Sequence, residues 1–190
     1  MNNEGNSFSD KVIVTKILNG NTHDFAIIVK NTERLVAQIV RKMTSNEDEQ
    51  KDLVQDIYLK AYLNLASFQF KSKLSTWIAN IAYNTTVNYL QKKKIPLIEI
   101  DNAFESSFIG NENVESENIN MEAVEILHAE IARLPPLYKT LITLYHLEEL
   151  PNKEIAEITN LPEGTIKSYL FRARKILKDK VNHHYKNAQP

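Results

Sequence analysis

An all-α chain of two small helical domains joined by a flexible acidic linker is what the sequence predicts, from three observations. Only 4 of the 190 residues are glycine while Leu, Ile, Ala, Lys and Glu abound, which leaves few tight β-turns and favours helix. Apolar residues recur at three- and four-residue spacing through two stretches, residues 8–94 and 121–182. Between them, residues 95–120 lose that period, gain Asn, Ser and Glu, and carry acids without any Lys or Arg.

In the first domain, residues 12–18 read as a short helix stopped by Asn19-Gly20, and Thr22 with Asp24 restarts the chain as cap and first-turn acid. Phe25, Ile28, Val29, Thr32, Leu35, Val36 and Ile39 trace the inward stripe of the next helix. Asn46 followed by Glu47, Asp48 and Glu49 resembles a capping box and opens a third helix to about residue 65. Leu53, Ile57, Ala61 and Leu65 form its buried stripe. On its opposite side Asp52, Gln55 and Asp56 lie near Leu59 and Leu63, so large apolar side chains sit among acids on the face expected to be wet. Such a face suits a protein partner, or a seat under another helix of the same domain.

Residues 67–75 are a polar link carrying Phe68, Phe70, Lys71 and Lys73, followed by a helix from about residue 76 to 93. Leu74, Ile78, Ile81, Thr85 and Tyr89 face inward. Thr76, Asn80, Tyr83, Asn84 and Val87 share the other side, Trp77 stands at the boundary, and Lys92, Lys93 and Lys94 close the helix. Aromatics in a basic loop beside amides can stack unpaired bases and follow a backbone. The same residues also suit a core with lysines at a helix C-terminus. The acidic stretch after them reads as a solvated tether, or as an occupant of a basic channel that nucleic acid later takes.

In the second domain Val124, Leu127 and Ile131 mark one face of a helix ending at Leu134, and Pro135-Pro136 breaks it. Leu137, Leu141, Leu144 and Tyr145 mark the next helix. Residues 151–180 then read as a helix, a tight turn and a basic second helix. Ile155 and Ala156 give the first of these an inner face, and Asn160 falls where the turn needs a left-handed backbone. Pro162, Glu163 and Thr165 begin the second, and Ile166 and Leu170 point inward. Thr165, Lys167, Ser168, Tyr169, Phe171 and Arg172 are left on or beside the outer face, followed by Arg174 and Lys175. That face suits the major groove of duplex DNA, and the bland alternative is a solvated helical hairpin. Residues 181–190 read as a fraying tail.

Composition excludes other classes. The net charge is −1, so nucleic-acid binding must come from local clustering, and Lys71, Lys73, Lys92, Lys93 and Lys94 do cluster in an acid-free span. No cysteine is present, which rules out a disulfide framework or Cys-based zinc site. No apolar run reaches membrane-span length and the start lacks a signal-peptide core, so a cytoplasmic protein is expected. No nucleophile elbow, P-loop, dinucleotide fingerprint or zincin spacing occurs. Glu49, Asp52 and Asp56 come from one helix with nothing converging on them. No catalytic residue, metal, cofactor or small-molecule substrate is therefore expected.

Three stretches in this order resemble the extracytoplasmic-function group of bacterial RNA polymerase sigma factors, over about residues 25–180. They are the run from Asp52 through Gln55 to Tyr58, the run from Leu74 through Trp77 to Asn84, and Glu154-Ile155-Ala156 through Gly164 to Arg174. The resemblance implies a region-2-like domain over 8–94, a linker over 95–120 and a region-4-like helix-turn-helix domain over 121–182. It implies that Asp52, Gln55, Asp56, Leu59 and Leu63 dock on the clamp helices of the core polymerase largest subunit. Phe68, Phe70, Lys71, Lys73, Trp77, Asn80, Tyr83 and Asn84 would engage the melted minus-10 element. Thr165, Lys167, Ser168, Tyr169, Phe171, Arg172, Arg174 and Lys175 would read the minus-35 duplex, with that domain resting on the polymerase flap. An anti-sigma partner, membrane-bound in some relatives, is implied as well. The chain departs from the family pattern at Asn80, Tyr83, Gln91 and Tyr169, where relatives often carry a basic residue, and at Asn160, where the turn usually has Gly. The competing reading is an autonomous helix-turn-helix regulator that dimerises on a palindrome without polymerase.

Overall fold

The computed structural model describes residues 3–98 and 121–188, with side chains over 9–98 and 124–184. The acidic linker expected over 95–120 therefore lies, beyond residue 98, outside the described residues. Eight α-helices and no strand make up the described chain, in agreement with the all-α expectation.

Helix α1, Asn3–Leu18, starts well before the predicted residue 12 and ends at Gly20, whose φ of +105° is backbone that only glycine adopts readily. Helix α2, Phe25–Met43, buries Ile28, Thr32, Val36 and Ile39, the predicted stripe. Helix α3, Glu47–Leu63, begins where the Asn46 side chain accepts from the Asp48 and Glu49 N–H groups at 3.0 and 3.1 Å. Leu53, Ile57 and Ala61 face the core. Helix α4, Leu74–Lys92, is held at its start by α1, because the Asp10 carboxylate accepts the Leu74 N–H at 2.9 Å. An anion at that end also complements the helix dipole. Fully buried isoleucines such as Ile28, Ile57 and Ile78 each contribute roughly 1.5–3 kcal/mol by leaving water.

Helix α5, Met121–Arg133, departs from expectation. Val124 and Leu127, predicted to face inward, are exposed, and the residue that α5 buries most deeply is Glu130, which accepts from His184 and pairs with Arg133. Helix α6, Pro136–Ile142, opens on proline in its first turn and runs into a single π turn, Thr143–Leu147. Helix α7, Asn152–Thr159, ends at Asn160 in the left-handed conformation, φ 57° and ψ 25°, as its side chain predicted. Helix α8, Glu163–Ala188, is longer than expected. The stretch after residue 180, predicted to fray, continues the helix to Ala188, and His184 reaches back to Glu130 on α5 at 3.1 Å.

The two halves of the chain share one continuous apolar core. Helix α7 packs across α4, and α6 packs against α2. Leu97 and Ile98, counted with the linker by composition, pack on this core, and the Leu97 carbonyl accepts the Leu137 N–H at 3.1 Å. The side of α4 expected to be wet is covered as a result, with Thr76 and Tyr83 only 2% and 5% exposed.

Candidate partner and nucleic-acid interfaces

On α3 the capped helix turns Leu53, Ile57 and Ala61 inward, and the spacing leaves the predicted docking residues on the other side. Asp52, Gln55 and Asp56 are exposed. Leu59 and Leu63 are 57% and 69% exposed, so none of the described helices covers them. The seat for another helix, one of two readings open from sequence, is not used. Asp56 pairs with Lys60 one turn on at 2.7 Å, which keeps its carboxylate at the surface. Tyr62 extends the apolar strip and stands edge-on to Phe25, with ring centroids 5.2 Å apart.

The loop before α4 separates its two aromatics. Phe68 is buried and packs against Phe70 and Trp77, with centroids at 4.7 and 5.4 Å. Phe70 is more exposed and holds a left-handed backbone at φ 56°, a conformation uncommon outside glycine, Asn and Asp. Its ring is therefore presented by the loop and backed by Phe68. Lys71 is exposed, whereas the Lys73 ammonium donates to Glu154 of α7 at 2.9 Å.

The remaining predicted α4 residues face α7 and α8. Thr76 donates to Glu154 at 2.6 Å. The Asn80 amide donates to the Glu157 and Ile158 carbonyls at 2.9 and 3.0 Å and to the Asn160 side chain at 3.2 Å. Asn84 donates to Asn80 at 3.0 Å, and Asn160 donates to Asn84 at 3.4 Å. Burial pushes the Tyr83 phenol up to about 12, with the neighbouring phenol of Tyr169 on α8 adding to it. A residue predicted for each DNA element thus meets its counterpart here.

Along α8, Ile166, Leu170, Ala173 and Leu177 are buried and fix the helix rotation. Lys167 and Lys175 are exposed, while Thr165, Ser168, Phe171, Arg172 and Arg174 are half-buried. Ser168 donates to the Gly164 carbonyl at 3.0 Å and Arg174 to that of Leu170 at 3.2 Å. Tyr169 packs on Tyr138 with Arg172 over its ring, at 5.7 and 6.0 Å. Glu154 and Asn160 are the partners of α4 that sequence reasoning passed over. Their partners lie 76 to 81 residues away, beyond any local pattern. Among the described residues no group of His, Asp or Glu could hold a metal ion, and no helix is long and apolar enough to cross a membrane.

Residues 28–95 match the family described as Sigma-70 region 2, and residues 124–177 match Sigma-70, region 4. The chain is 34% identical to the ECF RNA polymerase sigma-E factor of Haemophilus influenzae over 182 residues, 91% of this chain and 95% of that protein. It is 34% identical to the sigma-E factor of Escherichia coli over 91% of this chain and 94% of that one. For the ECF sigma factor SigW of Bacillus subtilis the values are 29%, 88% and 94%. In fold it is similar to CnrH, solved in complex with the cytosolic domain of CnrY, with a TM-score of 0.64 at 18% identity over 92% of this chain and 97% of that one. RpoE of Bartonella quintana, solved with the anti-sigma factor NepR, gives 0.61 at 23% identity over 84% and 97%.

Proposed function

This chain belongs to the extracytoplasmic-function group of RNA polymerase sigma factors, and we propose that it divides the work of initiation among three surfaces. The first is the outer strip of α3, where Asp52, Gln55, Asp56, Leu59 and Leu63 dock on the clamp helices of the polymerase largest subunit. The observation that carries this is an apolar and acidic strip left exposed on a helix whose other side is core. The second is the loop and face of α4, with Phe70 offered to an unstacked base of the minus-10 element over Phe68 and Trp77. Lys71, Lys73, Asn80, Tyr83 and Asn84 continue that surface once it is free of α7. Stacking of roughly 1–3 kcal/mol per base offsets part of the cost of melting. The third is the front of α8, where Lys167, Arg172 and their neighbours read the minus-35 duplex while the domain rests on the flap.

The domain limits 8–94 and 121–182, with a linker between, follow from the same reading. The chain works in the cytoplasm with polymerase, as an initiation factor without catalysis of its own. The anti-sigma factor bound to RpoE, and the CnrY domain bound to CnrH, support an equivalent protein partner here.

Reconstituted run-off transcription tests the proposal. Core polymerase with this chain should yield promoter-specific transcripts from native upstream regions, and core binding with no such transcript on any of them would overturn it. Tight binding to a palindromic duplex without polymerase would instead favour the autonomous regulator.

A further inference from the structure

We propose that Tyr169 is a positioning residue on α8: its ring supports the Arg172 guanidinium and aims it at a guanine edge in the minus-35 duplex. Base choice at that step then depends on a side chain that touches no base itself. The inference rests on the assignment of the front of α8 proposed above, and it gives Tyr169 a separate role within that surface.

A stack of three side chains carries the argument. Tyr138, on α6, is buried and belongs to the core. The Tyr169 ring packs on it, tilted by 57° with centroids 5.7 Å apart, and the Arg172 guanidinium lies over the Tyr169 ring, 6.0 Å from its centroid. Tyr169 and Arg172 stand three residues apart, as neighbours on one flank of the helix. The buried Ile166, Leu170 and Ala173 hold the rotation that puts them there. All three members of the stack lie on α6 and α8, so it is internal to the region-4 half of the chain.

The arginines of the chain are held in different ways. Arg174 donates its Nε–H to the Leu170 carbonyl at 3.2 Å, while Arg133 pairs with Glu130 and Arg34 with Glu148. Among the described residues Arg172 pairs with no carboxylate, and it rests on the ring instead. A π face holds a guanidinium by its plane and occupies none of its five N–H donors. The planar fork that matches N7 and O6 of guanine is thereby left available, with its orientation already restricted. Lys167, by contrast, is exposed and presents a point charge on a flexible stem, which suits a phosphate more than a base edge. Base choice on this face therefore falls to Arg172, and the stability of its aim falls to Tyr169.

The full chain, assembled with core polymerase, is tested on a promoter duplex selected by run-off transcription. Copies of that duplex carry 7-deazaguanine at each minus-35 guanine in turn, which keeps the base pair and removes the N7 acceptor. The parent should bind the native duplex about ten-fold more tightly than one of these copies. Y169L should cut that ratio to about two-fold, the loss of one cation–π support, whereas Y169F, which keeps the ring, should preserve it. R172A should abolish the ratio, and Y169L/R172A should do no more, because the tyrosine acts only through the arginine. Y169R should bind every duplex with a steeper salt dependence and yet lose the same discrimination. Discrimination kept in Y169L but lost in R172A overturns the positioning role and leaves the assignment of Arg172 standing. A parent indifferent to every copy, or an R172A chain that still discriminates, overturns that assignment and the inference with it. A loss in Y169F equal to that in Y169L assigns the effect to the hydroxyl and overturns the ring support. Independently of how the variants fold, nitrogen-15 relaxation of the parent should show the Arg172 Nε–H more restricted than that of the exposed Arg41, and equal mobility overturns the stack.

Discussion

Helices α3 and α4 pack side by side in one domain and are each assigned to a different macromolecule, yet the fold treats their outer faces oppositely. The outer face of α3 is in solvent, with leucines above half exposure, while that of α4 is sealed by a helix more than 70 residues away. The difference lies in chemistry. The α3 strip offers carboxylates and aliphatic side chains, which no other described helix of the chain covers. The α4 face offers hydroxyl and amide groups, whose donors and acceptors are met by the orphan carbonyls and acid of α7. A surface rich in hydroxyl and amide groups, with one ammonium, can be closed by the polar groups of its own chain, whereas an acidic, greasy strip stays open.

The contrast can be broken most strongly within α3 itself. Ile57→Ala should lower the unfolding free energy by about 3 kcal/mol in urea titration, while Leu63→Ala on the same helix should change it by less than about 0.5 kcal/mol. Next in size, L59D with L63D should weaken core polymerase binding about 30-fold with an unchanged melting curve, and unchanged affinity would detach polymerase from this strip. On α4, Thr76→Val removes the hydroxyl that Glu154 accepts from and should cost about 1–2 kcal/mol, whereas a loss under about 0.3 kcal/mol would mean that water already serves Glu154.

A smaller effect tests the sealed face through pH. The Tyr83 phenol, raised to about 12 from an ordinary 10, holds its proton more tightly in the folded state than in the unfolded one. Its contribution is therefore complete below pH 10 and is lost as pH rises from 10 to 12. The melting temperature should fall more steeply across that window in the parent than in Tyr83→Phe. Smallest of all, Arg34→Ala should move stability by about 0.5–1 kcal/mol, because at 3.4 Å the mostly exposed guanidinium gives only a weak contact to the Glu148 carboxylate, itself 13% exposed.

Most of the fold was legible because it rests on local rules. The Asn46 cap, the stripe of α2, the break at Pro135-Pro136 and the left-handed Asn160 are each dictated by residues within one or two turns. The outer strip of α3 was legible as an anomaly, apolar where water was expected, and the structure resolves its two readings by leaving it uncovered. What could not be read depends on distant pairing. Helix α5 has an apolar stripe by periodicity, but Arg133 and His184 give its buried Glu130 partners, and the helix sits with the acid inward. The same contact extends α8 past its predicted end. The closure of α4 was hidden for the same reason, since nothing near residue 80 announces residue 160. The two asparagines were noticed separately, as departures from a family pattern, and the structure joins them.

Asn80 donates to three acceptors on α7 and its turn while belonging to the face assigned to promoter DNA. On the proposed assignment one side chain would serve two demands, contact with the promoter and the seating of α7 on α4. A substitution at this position would then be pleiotropic. If residue 80 contacts the promoter, a change there also alters how α7 packs on α4, and a compensating change at residue 160, outside the assigned face, would restore that packing without retuning the promoter.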